Sequence, residues 1–220
     1  MLGRVQRGAW RGLPLRRLTG VADGCRYQRF FSDLTYLFVE LLQQQEDEAM
    51  HPNVVIRSET DADVSAITEV TVAAFNTLEL SNHTEQFIIE ALRAAKALTL
   101  SLVAELDGRV IGHIAFSPVT ISDGTRNWYG LGPVSVLPEH QRQGIGKALI
   151  QEGISRLKAL NAKGCCLVGH PEYYKQFGFK NIQGLVVEGV PPQVFFALSF
   201  DARMPQGTVT FHEAFKAVGQ

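Results

Sequence analysis

Long apolar runs are missing from this chain. No segment reaches the ~18 consecutive apolar residues of a membrane-spanning helix, and the first residues lack the continuous apolar stretch of a secretory signal. Cysteine is scarce, three in 220 residues, an odd count that excludes a fully paired disulfide framework. Cys165 and Cys166 are adjacent. On a strand their side chains point to opposite faces, so they read as reduced, buried residues. No second Cys/His pair at ligand spacing accompanies them, and no metal site is expected. Net charge is nearly absent too, −1, which argues against a nucleic-acid partner. The chain also lacks internal repeats and low-complexity tracts. These absences lead us to expect a cytoplasmic protein with no membrane and no nucleic-acid partner.

What is present is an ordinary globular composition, 45% apolar and 20% charged, behind an unusual start. Residues 1–29 hold seven arginines, no lysine and one acid, Asp23. Two readings stand for this Arg-rich start: a mitochondrial-type presequence, or a plain extension preceding a start at Met50. An amphipathic helix is expected over Ser32–Gln45, with apolar residues at 34, 37, 38, 41 and 42. The division expected is therefore an N-terminal extension, 1–52, disordered or partly helical, and a folded domain, 53–220.

From Val54 the punctuation becomes regular. A short strand, NVVIR, precedes a helix from about Ala62 to Phe75, capped by Thr60 or Asp61. A polar loop leads to a second helix, Glu85 to Ala95. Two strands flank Asp107-Gly108, a two-residue hairpin signal. The strand WYGLGPVSVLP then runs into a helix over 145–160. The strand CCLVG, a short helix PEYYKQF and two late apolar runs, GLVVEGV and QVFFALSF, follow. This order, β-α-α-β-β-β-α-β-α-β-β, predicts the α/β class: a mixed sheet of six to seven strands with helices on both faces.

The stretch QRQGIGK, residues 141–147, opens the third of these helices with two glycines that each cost helix propensity. A helix start carries unsatisfied N–H donors and the positive end of the macrodipole. Gly144 and Gly146 let an anion approach the backbone, and Arg142 and Lys147 add positive charge, so a phosphate or pyrophosphate is the implied ligand. The stretch is neither a dinucleotide fingerprint, since Leu149 stands where a third glycine is needed, nor a P-loop. A simple turn at Gly144 and simple packing at Gly146 is the competing reading.

Three motifs together break that tie. Gln141-Arg142-Gln143-Gly144-Ile145-Gly146 resembles the acyl-CoA pyrophosphate signature Q/R-x-x-G-x-G/A of the GCN5-related N-acetyltransferase (GNAT) superfamily. Val136-Leu137-Pro138 resembles the end of that family's fourth strand, and Tyr173 to Phe179, YYKQFGF, resembles its F/Y-Y-x-x-x-G-F motif. The likeness covers about residues 53–200 and extends to a bacterial branch of acetyltransferases with mostly unassigned substrates.

The resemblance implies the GNAT acyl-CoA N-acyltransferase fold, with the fourth and fifth strands splayed around acetyl-CoA. By position, the backbone of Val134, Ser135 and Val136 pairs with the pantetheine, while Gln141, Arg142, Gln143, Gly144, Ile145, Gly146 and Lys147 hold the pyrophosphate. The implied reaction is N-acetylation of a primary amine of a small molecule or peptide by direct attack, with a strand N–H for the oxyanion. Tyr174 matches the family's acid position, and a phenol is neutral at pH 7 and able to protonate a thiolate. Tyr173 reads as core. The base is less legible, because Trp128 to Val136 contains no acid. His170 is the base candidate retained, with helix capping as its other role, and His113, Glu105 and a water chain are further options. The loop 76–84 and its flank carry Glu79, His83 and Glu85, which suit a cationic amine or merely a solvated cap. A monomer or homodimer is expected. A non-catalytic acyl-CoA-binding module, sensory or regulatory, is the second reading; Tyr174 favours the enzyme, and the missing strand carboxylate favours the module.

Overall fold

The protein is described by a computed structural model covering residues 53–76, 83–201 and 203–219. The Arg-rich start, the helix expected over Ser32–Gln45 and Glu79 lie outside the described residues. Six strands form the main sheet: β1 (Val54–Ser58), β2 (Leu100–Leu106), β3 (Arg109–Pro118), β5 (Trp128–Val136), β6 (Gly164–Val168) and β8 (Phe195–Ser199), in that spatial order. Every neighbouring pair is antiparallel except β5 and β6. The β2–β3 hairpin turns at Asp107 and Gly108, whose φ angles of 50° and 83° are the double positive pair of a type I′ turn.

The sheet has six strands, within the expected number, but not the expected members. GLVVEGV supplies β7 (Leu185–Val187), which leaves the main sheet. It joins β4 (Thr120–Ile121) and β9 (Gly207–Thr210) in a second, three-stranded sheet of order β4-β9-β7. Neither two-residue β4 nor β9 was expected, because such short segments carry no readable alternation. The strand expected as the family's fourth is therefore β5 here, and its fifth is β6.

Helices α1 (Val64–Asn76) and α2 (Glu85–Ala94) cover one face of the main sheet, and α3 (Ile145–Ala159) covers the other. The pleat explains this division. Gly112 faces Ile145 and Leu149 of α3, whereas the next residue, His113, turns its ring to Ser101 on the opposite side. Gly153, on the sheet-facing stripe of α3, leaves room for the Phe116 ring. The first helix begins two residues later than expected. A 3-10 turn, Asp61–Asp63, precedes it, tightened by the Asp63 carboxylate, which accepts from Thr60 N–H at 2.7 Å and from both Arg57 Nη atoms at 2.6 and 2.8 Å. Arg57 also donates to Glu105 at 2.8 Å. Among the described residues no helix is long and apolar enough to cross a membrane.

Beneath α2 a polar chain runs from half-buried Arg93 and Glu59 to buried Ser101 and His113. Arg93 donates to Glu59 at 2.9 Å, Ser101 Oγ donates to the same carboxylate, and Ser101 Oγ lies 2.7 Å from His113 Nε2. A carboxylate only accepts, so the single hydroxyl proton goes to Glu59 and His113 donates through Nε2. The opposite ring nitrogen, Nδ1, is buried without a partner. Burial raises the Glu59 pKa, but its hydrogen bonds from Arg93 and Ser101 hold it below the usual range. Burial lowers His113 to about 4.

His113 is therefore neutral in the folded protein at pH values where the unfolded chain, with an ordinary value of 6.5, takes up a proton. Stability from this group is complete above pH 6.5 and is lost as pH falls towards 4, by roughly 2 kcal/mol at pH 5. The melting temperature is expected to be lower at pH 5 than at pH 7.5, and His113→Gln should narrow that gap, read by thermal denaturation of both proteins at both pH values.

Candidate active site

The parallel pair β5 and β6 stays together for only three residues, Trp128↔Gly164, Tyr129↔Cys165 and Gly130↔Cys166. Beyond Gly130, β5 continues to Val136, while Leu167 and Val168 of β6 pair only with β8. The cause sits on β5. Gly132 and Pro133 stand opposite the single residue Ala115 of β3, where the register shifts between Ile114 and Phe116. An extra residue on one strand bends it and breaks the ladder, and Pro133 has no N–H to offer a neighbour. The result is a V-shaped gap with the far half of β5 as one wall.

Strand alternation says which groups face the gap. Leu137 N–H donates to Ile111 O at 2.9 Å, so the backbone of Leu137, and of Ser135 two residues before it, is directed at β3. The N–H and C=O groups of Val134 and Val136 are directed the other way. The Val136 carbonyl is taken by the Gln141 side chain at 3.0 Å. The Ser135 hydroxyl points out of the sheet and lies 3.3 Å from Thr71 Oγ1 on α1. Of the three residues expected to offer backbone here, Val134 and Val136 do so.

At the open end of the V the chain turns through Pro138–His140 into α3. Gly144 is the N-cap with φ 74°, a left-handed conformation that glycine adopts at little cost. The first intrahelical bond is Ala148 N–H to Gly144 O, 2.9 Å, so the amides of Ile145 and Gly146 lie at the uncapped end. No acidic residue occupies this first turn. The side chains of Gln141 and Gln143 hold the loop itself: Gln143 Nε2 donates to Glu139 O at 3.1 Å.

The short helix α4 (Pro171–Lys175) sends its two tyrosines in different directions. Their rings meet edge to face, 5.1 Å between centroids. Tyr173, read from sequence as plain core, brings its hydroxyl to the start of α3, 3.3 Å from where a Cβ on Gly146 would stand. That hydroxyl is buried without a hydrogen-bond partner, and burial raises its pKa. No sequence signal distinguished it, since a core ring and a ring with an aimed hydroxyl are both tyrosine. Tyr174, fully buried, lines an open-mouthed cavity together with Leu131, Gly132, Pro133, Val134 and Val168 at the divergence of the strands. Burial first and Tyr173 second push the Tyr174 pKa well up. Gly169 makes room for the Tyr174 ring, since a Cβ there would collide with it.

The candidate bases are elsewhere. His170 is the half-buried N-cap of α4; its side chain makes no capping bond, its carbonyl accepts from Tyr174 N–H at 3.4 Å, and it does not line the cavity. His113 belongs to the polar chain under α2, and Glu105 to Arg57. Glu85 is buried in the first turn of α2 and does not line the cavity. Cys165 and Cys166 are free and buried on opposite faces, in two separate apolar clusters. Burial raises both thiols. No group of His, Cys, Asp and Glu suited to a metal ion occurs among the described residues.

Comparison with known proteins gives a consistent picture. Residues 98–181 match the acetyltransferase (GNAT) domain family model. A GNAT family acetyltransferase from Brucella melitensis, solved in complex with acetyl-CoA, is 51% identical, with a TM-score of 0.67, over 75% of this chain and 99% of its own. The Escherichia coli GNAT family N-acetyltransferase YhbS, solved in complex with CoA, is 28% identical, with a TM-score of 0.70, over 80% of this chain and 98% of its own. At sequence level YhbS of strain K12, an uncharacterised N-acetyltransferase, is 36% identical over 97 residues, which span 44% of this chain but only 58% of that relative.

A buried hydroxyl with no partner costs about 1–3 kcal/mol. Tyr173→Phe is therefore expected to raise the melting temperature by a few degrees. A lower melting temperature in calorimetry would mean that the hydroxyl is satisfied within the fold.

Proposed function

The chain belongs to the GNAT acetyltransferase family, and from that premise we propose that it transfers the acetyl group of acetyl-CoA to a primary amine by direct attack. The observation that carries this reading is the edge of β5 that no strand covers, with Val134 and the Val136 N–H directed into the gap and the Val136 carbonyl held by Gln141, and it runs from the Tyr174 cavity towards the start of α3. An acyl-pantetheine arm is an extended chain of amides, and it can add to such an edge as another strand does.

Each end of the edge suits one end of acetyl-CoA. The start of α3, with Gly144 as a left-handed cap and the amides of Ile145 and Gly146 beyond it, suits the pyrophosphate. Arg142 and Lys147 supply positive charge to this loop, while Gln141 and Gln143 shape it. Tyr173 adds a donor that the sequence did not announce. Its unsatisfied hydroxyl beside Gly146 has a natural acceptor in the cofactor's polar chain, and the ligand would remove the cost of leaving it unpaired.

At the other end, the amine nitrogen attacks the thioester carbon and the carbonyl oxygen becomes an oxyanion. The N–H of Val134, held by the sheet, is a preorganised donor for that charge. Collapse of the adduct breaks the carbon–sulfur bond, and Tyr174 gives its proton to the departing thiolate. The raised Tyr174 pKa does not disqualify it. The thiolate forms in the same apolar space and is destabilised by the same desolvation, so the two groups stay matched. The proton released by the amine passes to water and restores Tyr174. His170 contributes through its backbone, which caps the helix carrying both tyrosines.

Gly146→Asp places a carboxylate at a helix start, where the dipole favours it but a pyrophosphate does not. The variant is expected to melt within a few degrees of wild type and to bind acetyl-CoA at least tenfold more weakly by calorimetry. Unchanged affinity would remove the pyrophosphate assignment. Tyr173→Phe should weaken the same affinity severalfold. Tyr174→Phe should lower kcat by about a hundredfold or more while acetyl-CoA affinity stays within threefold. If kcat is unchanged, another group protonates the thiolate. Acetyl-CoA binding without thiol release for any amine would favour a binding module over an enzyme.

A further inference from the structure

We infer that the cavity beyond the thioester selects primary amines with an apolar, ring-sized or branched body and receives them as free bases, with Phe211 and Phe215 as its specificity wall. This inference rests on the acetyltransferase reading above. It is carried by the part of the cavity that the cofactor chemistry does not use: Phe75 at the end of α1, Ile88 of α2, and the two phenylalanines of the C-terminal segment.

That wall is built. Phe211 follows β9 and lies over Gly130, where an added Cβ would stand 2.7 Å from its ring edge. Gly130 is also where the pairing of β5 with β6 ends, so the ring sits at the vertex of the splay. Phe215 lies 5.2 Å from Phe211 between ring centroids and is buried against Ile88, Leu92 and Ala214. The turn carrying it, Glu213–Lys216, is held by His212 Nδ1, which accepts from Ala214 N–H at 3.1 Å. The C-terminal segment therefore folds back to close the space between α2 and β5.

The chemistry of the occupant follows from the lining. Among the described residues, Tyr174 is the only ionisable side chain that faces the cavity, and no carboxylate does. An ammonium entering it leaves water and meets no counter-charge among the described residues, a large cost, whereas the neutral amine brings the lone pair that attack requires. Desolvation thus performs the deprotonation usually assigned to a base, because it favours the uncharged form of an amine. A second cationic group on the acceptor would meet the same penalty without being relieved of it. An aromatic or branched alkyl body instead finds aromatic and aliphatic partners in Phe75, Ile88, Phe211 and Phe215.

The test uses the whole chain with acetyl-CoA at saturation and three amines: 2-phenylethylamine, its 2,2-difluoro derivative, which is less basic, and 1,4-diaminobutane. By thiol release, kcat/KM for 2-phenylethylamine is expected to exceed that for the diamine at least tenfold. The rising limb of kcat/KM with pH is expected to move down with the basicity of the fluorinated amine. Phe211→Ala should raise KM for 2-phenylethylamine at least tenfold and leave acetyl-CoA affinity within threefold. A preference for the diamine, or a limb that stays at one pH for both ring-bearing amines, would overturn the inference while leaving the transferase intact; the fixed limb would point to an enzyme base such as His170. If acetyl-CoA binds but no amine releases thiol, the transferase reading fails, and calorimetric titration of the acetyl-CoA complex then judges the cavity alone. Tighter binding of 2-phenylethylamine than of the diamine supports the wall, and equal or no binding overturns it.

Discussion

Two parallel strands that pair for three residues and then part are the constraint on which the site depends. Hydrogen-bonding groups on a strand edge are obligatory donors and acceptors, and a neighbour that turns away leaves them to water or to a ligand. The bulge at Gly132 and Pro133 makes β5 diverge from β6 while β3 still holds its other edge. The rigid side of the sheet thus fixes the position of the exposed side. A backbone edge held in this way is a better preorganised donor than a loop, because moving it would break the β3 ladder. The site proposed for acetyl-CoA accordingly uses few side chains: it is mostly main chain, plus two tyrosines and a helix start.

The buried and half-buried polar groups sort into two kinds. Arg93, Glu59, Ser101 and His113 satisfy one another, apart from one imidazole nitrogen, and lock α2 to β2 and β3. Their interactions end within the fold, so they bear on stability and its pH dependence. The Tyr173 hydroxyl has no such internal partner and is aimed at the uncapped start of α3. A histidine on a central strand attracts attention as a base, yet burial at 0% exposure and the Ser101 bond make it a structural residue. A tyrosine that looks like core is the one with an unused donor. Residue type alone does not distinguish these two situations.

Large parts of the site were legible because they rest on local chemistry. The double glycine of QRQGIG marks an open helix start whether or not the rest of the chain is known, and Asp107-Gly108 marks its turn for the same reason. The resemblance of YYKQFGF to the family motif singled out Tyr174 as the acid candidate on a short helix, and it lies on one, Pro171–Lys175. The hidden parts depend on contacts between distant segments. Nothing in FHEAF says that Phe211 will rest on Gly130, some eighty residues earlier, or that Phe215 will meet Ile88. The second sheet escaped notice because β4 has two residues and β9 four, too few for a period. Tyr173 is the core residue the sequence suggests, but the aim of its hydroxyl and the burial of His113 belong to packing and could not be read.

By itself, then, the sequence determined the order of strands and helices, the hairpin and the glycine-marked start of α3, because backbone preference and residue chemistry act over a few positions, while its likeness to a family motif singled out the tyrosine pair. The tertiary structure alone decided where β5 leaves β6, which of Val134, Ser135 and Val136 turn their backbone to the gap, which tyrosine enters the cavity, and that phenylalanines close it. Each of these is set by register between strands or by packing across the sheet, and both are properties of segments brought together only when the chain folds.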